Sequence, residues 1–217
     1  MSSDDKPLMY YWPARGRGQQ VRLVFAEAGI DFTDETFVMG DEESKLSFFE
    51  KCKGLGGNLT TNIPMVYIDG KYITQSSAVI RYLGRKYGLY PSDGDSAYQV
   101  DMLLAAAEDL RSANYKPLPM FGGGEKEKEI HITEVLPKHL ANFVRLLEDR
   151  AYFLGPTLCL ADLSIYDTLS TVDCMVPGYL KKYPTLEEFC TRVAQRPNIA
   201  KWLASEQHNA LWAFPAI

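Results

Sequence analysis

This 217-residue chain is short of sulfur, of excess positive charge and of long apolar runs, and each shortage removes a class of function. Its four cysteines, Cys52, Cys159, Cys174 and Cys190, are few for the length, and none belongs to a CxxC pair. That argues against a disulfide framework and favours reduced thiols in the cytoplasm. With 23 Lys and Arg against 28 Asp and Glu, the formal net charge is -5. A general nucleic-acid binder, whose affinity rests on cations facing phosphates, is therefore disfavoured. No stretch approaches membrane-spanning length. Residues 1–6 are polar and acidic, without the basic flank and apolar core of a secretory signal. His131, His139 and His208 have no Cys or His neighbour at ligand spacing, so no metal is expected. Gly122-Gly123-Gly124 is followed by Glu125-Lys126-Glu127 rather than by Lys-Ser or Lys-Thr, and reads as a loop, not a phosphate cradle. Asn58-Leu59-Thr60 matches a glycosylation triplet by chance, since nothing directs the chain to secretion.

What is present is a 46% hydrophobic fraction, enough for a sizeable core, arranged in two styles. The first part, residues 6–84, alternates strand and helix patterns. Residues 8–12 form an aromatic run ended by Pro13, Gly16 and Gly18, which predicts a strand entering a turn. Val21, Val24, Phe25 and Ala28 lie at helical spacing with Gly29 as the stop. A second strand is predicted over 32–38, then a charged, glycine-punctuated loop over 39–60 holding a short helix. Pro64 opens a strand over 65–68, and Asp69-Gly70 predicts a hairpin into 72–74. Gln75-Ser76-Ser77 offers N-cap hydroxyls to a helix carrying Val79, Ile80, Leu83 and Tyr87 on one face. The order βαβ-ββα is the thioredoxin layout.

Residues 85–94 read as a linker, and residues 95–217 as an all-helical bundle. Val100, Leu103, Leu104, Ala107 and Leu110 mark one helix, and Leu136, Leu140, Phe143 and Leu147 another that bends near Pro137. The fold class is thus α/β followed by all-α.

A thioredoxin-like domain raises the question of a redox pair where the first strand meets the first helix. That turn reads Pro13-Ala14-Arg15-Gly16 and holds no cysteine, so chemistry run by the protein's own dithiol is disfavoured. It offers two adjacent tyrosines, Tyr10 and Tyr11, which strand alternation sends to opposite faces. One can enter the core while the other faces a site.

Four segments carry a resemblance over nearly the whole chain: residues 11–17, reading Tyr-Trp-Pro-Ala-Arg-Gly-Arg; Asn62-Ile63-Pro64; Gln75-Ser76; and Val100-Asp101-Met102 with Glu108-Asp109-Leu110-Arg111. In this order and spacing they resemble the cytosolic glutathione transferases of the tyrosine type, pi and sigma nearest. The resemblance implies a homodimeric detoxifying enzyme that binds glutathione as co-substrate and conjugates it to small hydrophobic electrophiles. It implies Tyr11 as the catalytic hydroxyl. Only the thiolate is a good nucleophile, and a phenol donating to the anion lowers the thiol's pKa. It further implies that Arg17 belongs to the glutathione site and that Ser76, with Gln75 beside it, takes the γ-glutamyl carboxylate at a helix N-terminus. The backbone at Ile63, before a cis Pro64, would meet the cysteinyl part. Asn62 stands where the pi class has glutamine, and Asp109 would reach the glutathione ammonium across the dimer.

Departures from the pattern are informative. The family's Trp and Lys for the glycyl carboxylate have no secure counterpart; Lys51 is the choice among Lys45, Lys51 and Lys53. Thr60 replaces an aromatic dimer key, which points to a polar dimer contact, and Arg81 matches an arginine near the sigma dimer axis. Cys159 replaces the Ser or Thr of a capping box with Asp162, which implies a cap weaker by roughly 0.5 to 1 kcal/mol. Trp12, Pro119, Phe121, Trp212 and Phe214 are the expected walls of the hydrophobic pocket. Two alternatives stay open: a non-catalytic ligand carrier or scaffold of this fold, and a glutathione-dependent isomerase or peroxidase.

Overall fold

The computed structural model describes residues 6–58, 60 and 62–217. The acidic start at residues 1–5 and Leu59, the middle of the glycosylation triplet, lie outside the described residues. The chain runs β1 (Leu8–Tyr10), α1 (Gly16–Glu27), β2 (Thr33–Glu35), α2 (Glu42–Lys53), β3 (Met65–Ile68), β4 (Lys71–Ile73) and α3 (Ser76–Lys86). The sheet order is β2-β1-β3-β4. β1 and β2 are parallel, as a crossover helix requires, and the other pairs are antiparallel. Asp69 and Gly70 both have positive φ, at 52° and 75°, the conformation of a tight two-residue hairpin turn.

Three local expectations are corrected. The first two strands are shorter than their apolar runs, because Pro13 has no N–H to extend the ladder and β2 has no partner past the end of β1. The segment read as mostly loop contains a 12-residue helix, α2. The Asp41 side chain accepts the Ser44 N–H, Glu42 and Glu43 sit in the first turn, and Lys51 and Lys53 in the last, all complementing the helix dipole. Its buried face, Phe48 and Cys52, packs with Tyr10, Phe37 and Met65. Finally, Gln75 rather than a serine is the N-cap of α3, and no side chain caps it.

The chain divides into two compact units. The first contains the described residues up to Tyr87 together with Pro197–Ala213, so α9 (Pro197–Leu203) and α10 (Glu206–Ala210) belong to it. α1 is buried nearly all round, between the sheet and helices α3 and α9. The second unit, Gly88–Arg196 with Phe214–Ile217, holds α4 (Gly94–Tyr115), α5 (Glu125–Ile130), α6 (Leu136–Leu147), α7 (Leu160–Met175) and α8 (Pro184–Ala194). A π-helical turn, His131–Val135, joins α5 to α6 just before Pro137, where the missing proline N–H breaks the regular ladder. α4 packs on α7, and Arg111 reaches across to the Asp167 carboxylate at 2.9 Å and the Ser164 carbonyl at 3.1 Å. At the start of α7, the Asp162 carboxylate accepts the N–H groups of Cys159 (2.7 Å) and Phe153 (2.8 Å). The acidic half of the capping box is therefore in place. No helix among the described residues is long and apolar enough to cross a membrane.

Two buried histidines give the fold a pH dependence. Burial lowers His131 and His208 each to about 4. Both are therefore neutral in the folded protein, whereas in the unfolded chain they protonate near the ordinary value of about 6.5. Their contribution to stability is complete above that value and is lost as pH falls from about 6.5 towards 4. The thermal midpoint is expected to drop between pH 7 and pH 5, before most carboxylates titrate, and His208→Gln should flatten that slope. A midpoint constant over this range would contradict the assignment.

Candidate active site

The two adjacent tyrosines separate as alternation requires. Tyr10 is 3% exposed and packs in the aromatic cluster on the α2 side of the sheet, against Phe48 and Tyr72. Tyr11, 9% exposed, turns to the opposite side, where its ring lies on the backbone of Gly18 in α1. A Cβ at Gly18 would fall 2.3 Å from Tyr11 Cδ1, so only glycine allows this contact.

The Tyr11 hydroxyl oxygen accepts the backbone N–H of Arg17 at 3.0 Å. Burial raises the phenol above the ordinary tyrosine value, against a smaller opposing pull from the Arg17 amide and the Arg22 and Arg17 charges. The phenol therefore stays protonated at neutral pH. Since the oxygen already accepts from Arg17, its own proton is available for donation elsewhere. An anion brought within reach would receive a hydrogen bond from a donor fixed in advance, which stabilises charge without reorganisation. Two of the protein's own thiols are unsuited to supply that anion: burial pushes Cys52 upward and Cys190 to about 12.

The turn after β1 is fastened by distant elements. Arg22, fully buried in α1, is paired with Asp34 of β2 at 2.7 Å and donates to the carbonyls of Ala14 and Trp12. From the C-terminal segment, Trp212 donates its N–H to the Pro13 carbonyl and accepts that of Arg15 with its own carbonyl.

Beside this turn, Trp12, Phe49, Lys53, Asn62 and Ile63 line a cavity of about 350 Å³ in the first unit, with Cys52. The Ile63–Pro64 peptide is cis. The Asn62 side-chain amide donates to the Cys52 carbonyl at 3.1 Å, fixing the end of α2. Lys51 points elsewhere, pairing with Glu35 at 3.4 Å over the Tyr10 ring, whereas Lys53 lines the cavity. Gln75 adopts φ 70° and ψ 104°, a conformation non-glycine residues seldom hold and one that concentrates at ligand-binding turns. It leads into the N-terminus of the 11-residue helix α3, with Ser76 as the first residue, and the Gln75 carbonyl accepts the Ala78 and Val79 amides at 2.8 Å each.

In the second unit, Asp109 is exposed on α4 beside a cavity of about 540 Å³ that Lys138, His139 and Arg145 also line. Pro119 and Phe121 form a short 3₁₀ turn, and the Tyr115 ring contacts both Phe121 and Phe214 edge-on, at 5.0 and 5.2 Å. Phe121 is 55% exposed, and Met120 beside it is also exposed, leaving an apolar face there. The first unit thus gathers Tyr11, Trp12, Arg17, Lys51, Asn62, Ile63, Pro64, Gln75 and Ser76; Pro119, Phe121, Phe214 and Asp109 belong to the second.

The sequence pattern assigns Gly18 to the turn, whereas it lies inside α1, and gives no sign of Arg22 or Tyr115. A glycine inside an otherwise good helix was a usable signal for close approach. The charge of Arg22 concealed its burial, because long cationic side chains are rarely inside unless paired.

Comparison with known proteins agrees along the chain. Residues 7–85 match the profile of the glutathione S-transferase N-terminal domain, and residues 112–206 that of the glutathione S-transferase C-terminal domain. Glutathione S-transferase A4 of Mus musculus is 30% identical over 202 residues, covering 91% of this chain and 88% of that protein. A glutathione S-transferase of Gallus gallus is 32% identical over 205 residues, with the same coverage, 91% and 88%. Among solved structures, a pi-class glutathione S-transferase of Onchocerca volvulus superposes with a TM-score of 0.82 at 25% identity, covering 95% of this chain and 96% of that one.

Proposed function

The chain belongs to the glutathione S-transferase family, and from that premise we propose that Tyr11 activates the thiol of bound glutathione for attack on a hydrophobic electrophile. The observation that carries this reading is the Arg17 N–H on the Tyr11 oxygen, which leaves a buried, protonated phenol free to donate. The thiol of glutathione, ordinarily near pKa ~9, is then held as thiolate at neutral pH, and the sulfur forms the new bond to carbon as the electrophile's leaving group departs or its π-bond opens.

The rest of glutathione is placed by complementary chemistry. Its γ-glutamyl carboxylate lies at the N-terminus of α3, against Ser76 and the turn of Gln75. The cysteinyl backbone runs alongside Ile63 as an added strand. The glycyl end enters the cavity lined by Asn62 and Trp12. There Lys53, which pairs with Glu50, lines the cavity, whereas Lys51 reaches away over the Tyr10 ring to Glu35. Asp109 reads the glutathione ammonium of a partner subunit in a homodimer. Pro119, Phe121 and Phe214 take the electrophile, and the enzyme works in the cytoplasm.

Steady-state conjugation of chlorodinitrobenzene, with each substrate varied in turn, tests this arrangement. Ser76→Ala removes one hydrogen bond to a charged group, worth about 1.5 kcal/mol or more. It is expected to raise the KM for glutathione roughly tenfold with little change in kcat. An unchanged KM would remove Ser76 from the site.

A further inference from the structure

We propose that Arg22 is a positioning residue for the reaction, holding the turn at residues 12–15 so that the Tyr11 hydroxyl meets the incoming sulfur; the proposal rests on the reading of Tyr11 given above. A guanidinium with no exposed surface loses several kcal/mol of hydration unless every donor is used. Here Nε donates to Asp34 Oδ2 at 2.7 Å, and Nη2 donates to Asp34 Oδ1 at 3.3 Å, a two-point pairing across one edge of the fork. That pairing would suffice to neutralise the charge.

The other donors do something more specific. Nη1 donates to the Ala14 carbonyl at 2.7 Å and Nη2 to the Trp12 carbonyl at 3.3 Å, both in the turn that follows Tyr11. The guanidinium carbon also stands 5.7 Å from the centre of the Tyr11 ring. Between those two carbonyls, that of Pro13 is taken by the Trp212 N–H at 3.0 Å, and the Arg15 N–H donates to the Trp212 carbonyl at 2.9 Å. The backbone from Trp12 to Arg15 is thus tied to α1 and to the C-terminal segment, and Tyr11 at its root is tied to β2 through its N–H on the Glu35 carbonyl. The two carbonyl bonds satisfy the donors that Asp34 leaves over, and they do so on the turn that follows Tyr11, whereas an apolar pair of similar size often stabilises as well without fixing that turn. Lysine, a point charge without a fork, could keep Asp34 as partner but not both carbonyls.

The test compares Arg22→Lys, Asp34→Asn, Tyr11→Phe and the double variant Arg22→Lys/Tyr11→Phe. The readouts are kcat/KM, the pH profile of kcat/KM and thermal unfolding. Arg22→Lys is expected to fold, to lose roughly 10- to 100-fold in kcat/KM, and to move the apparent thiol pKa upward towards that of Tyr11→Phe. In the Tyr11→Phe background it should add less than about threefold, because both changes remove one function. A folded Arg22→Lys with the wild-type pH profile, or losses that simply multiply in the double variant, would overturn the proposal. Should Arg22→Lys not fold, Asp34→Asn, which loosens the guanidinium from its other edge, is expected to shift the profile in the same direction; a wild-type profile there would overturn it equally. Tyr11→Phe alone with full activity would instead sink the underlying reading of Tyr11, so the two failures are distinguishable.

Discussion

Replacing Tyr11 with phenylalanine is expected to lower kcat/KM for conjugation by roughly ten- to a thousandfold, the range seen when one preorganised donor to an anion is removed. The change is close to isosteric, so the ring keeps its seat on Gly18 and beside Arg22. What disappears is the O–H and the acceptor for the Arg17 amide. The first loss falls on the thiolate. The second leaves a half-buried N–H unsatisfied, at a cost of about 1 to 3 kcal/mol of stability. With glutathione held mainly at the start of α3 and beside Ile63, as proposed, its affinity should stay within about threefold. Activity measured against pH should show the apparent pKa of the thiol moving up towards ~9. Loss of glutathione affinity in parallel with activity would mean that Tyr11 is a binding residue rather than the activating one.

The second large effect comes from a residue with no polar chemistry. Gly18→Ala places a methyl 2.3 Å from Tyr11 Cδ1, 2.7 Å from its Cγ and 2.8 Å from Met9 Cε. Separations under 3 Å cannot be absorbed without movement, and Met9 is fully buried in the sheet core. The tyrosine ring, which keeps a little exposure, is the group that yields, and it moves towards the site it serves. Overpacking of this kind costs about 1 to 3 kcal/mol of stability, offset by about 1 kcal/mol because alanine favours a helix over glycine. The larger consequence is displacement of the hydroxyl, for which a loss of roughly a hundredfold in kcat/KM is reasonable when a reacting group shifts by about 1 Å. Thermal unfolding and kinetics together separate the two effects. A folded Gly18→Ala variant with wild-type kcat/KM would show that the contact does not govern the tyrosine.

These residues also show where sequence was enough and where it was not. Asp69-Gly70 was legible because its turn needs two positive φ values, and the pairing of β3 with β4 followed from it. The length of α2 is hard to read because its helix signals are charges at the two ends and an Asp41 cap, while its apolar face is narrow. For the site, alternation left two tyrosines, and the motif selected Tyr11; the structure adds that Tyr10 packs within the core cluster. Lys51 and Lys53 lie two residues apart, and only their three-dimensional partners distinguish them. Nothing in the pattern of α1 reveals that Arg22 is buried, since its partners Asp34, Trp12 and Ala14 come from separate segments. The tie between Trp212 and the turn at Pro13 spans nearly the whole chain and has no local sign.

The claim that Tyr11 holds glutathione as its thiolate is tested most directly by titrating the ultraviolet absorbance of the bound thiolate in the wild-type protein and in Tyr11→Phe. The wild-type midpoint is expected at least about one pH unit below that of the free thiol, and the variant's midpoint should return towards the free value. The same midpoint in both proteins would contradict the account.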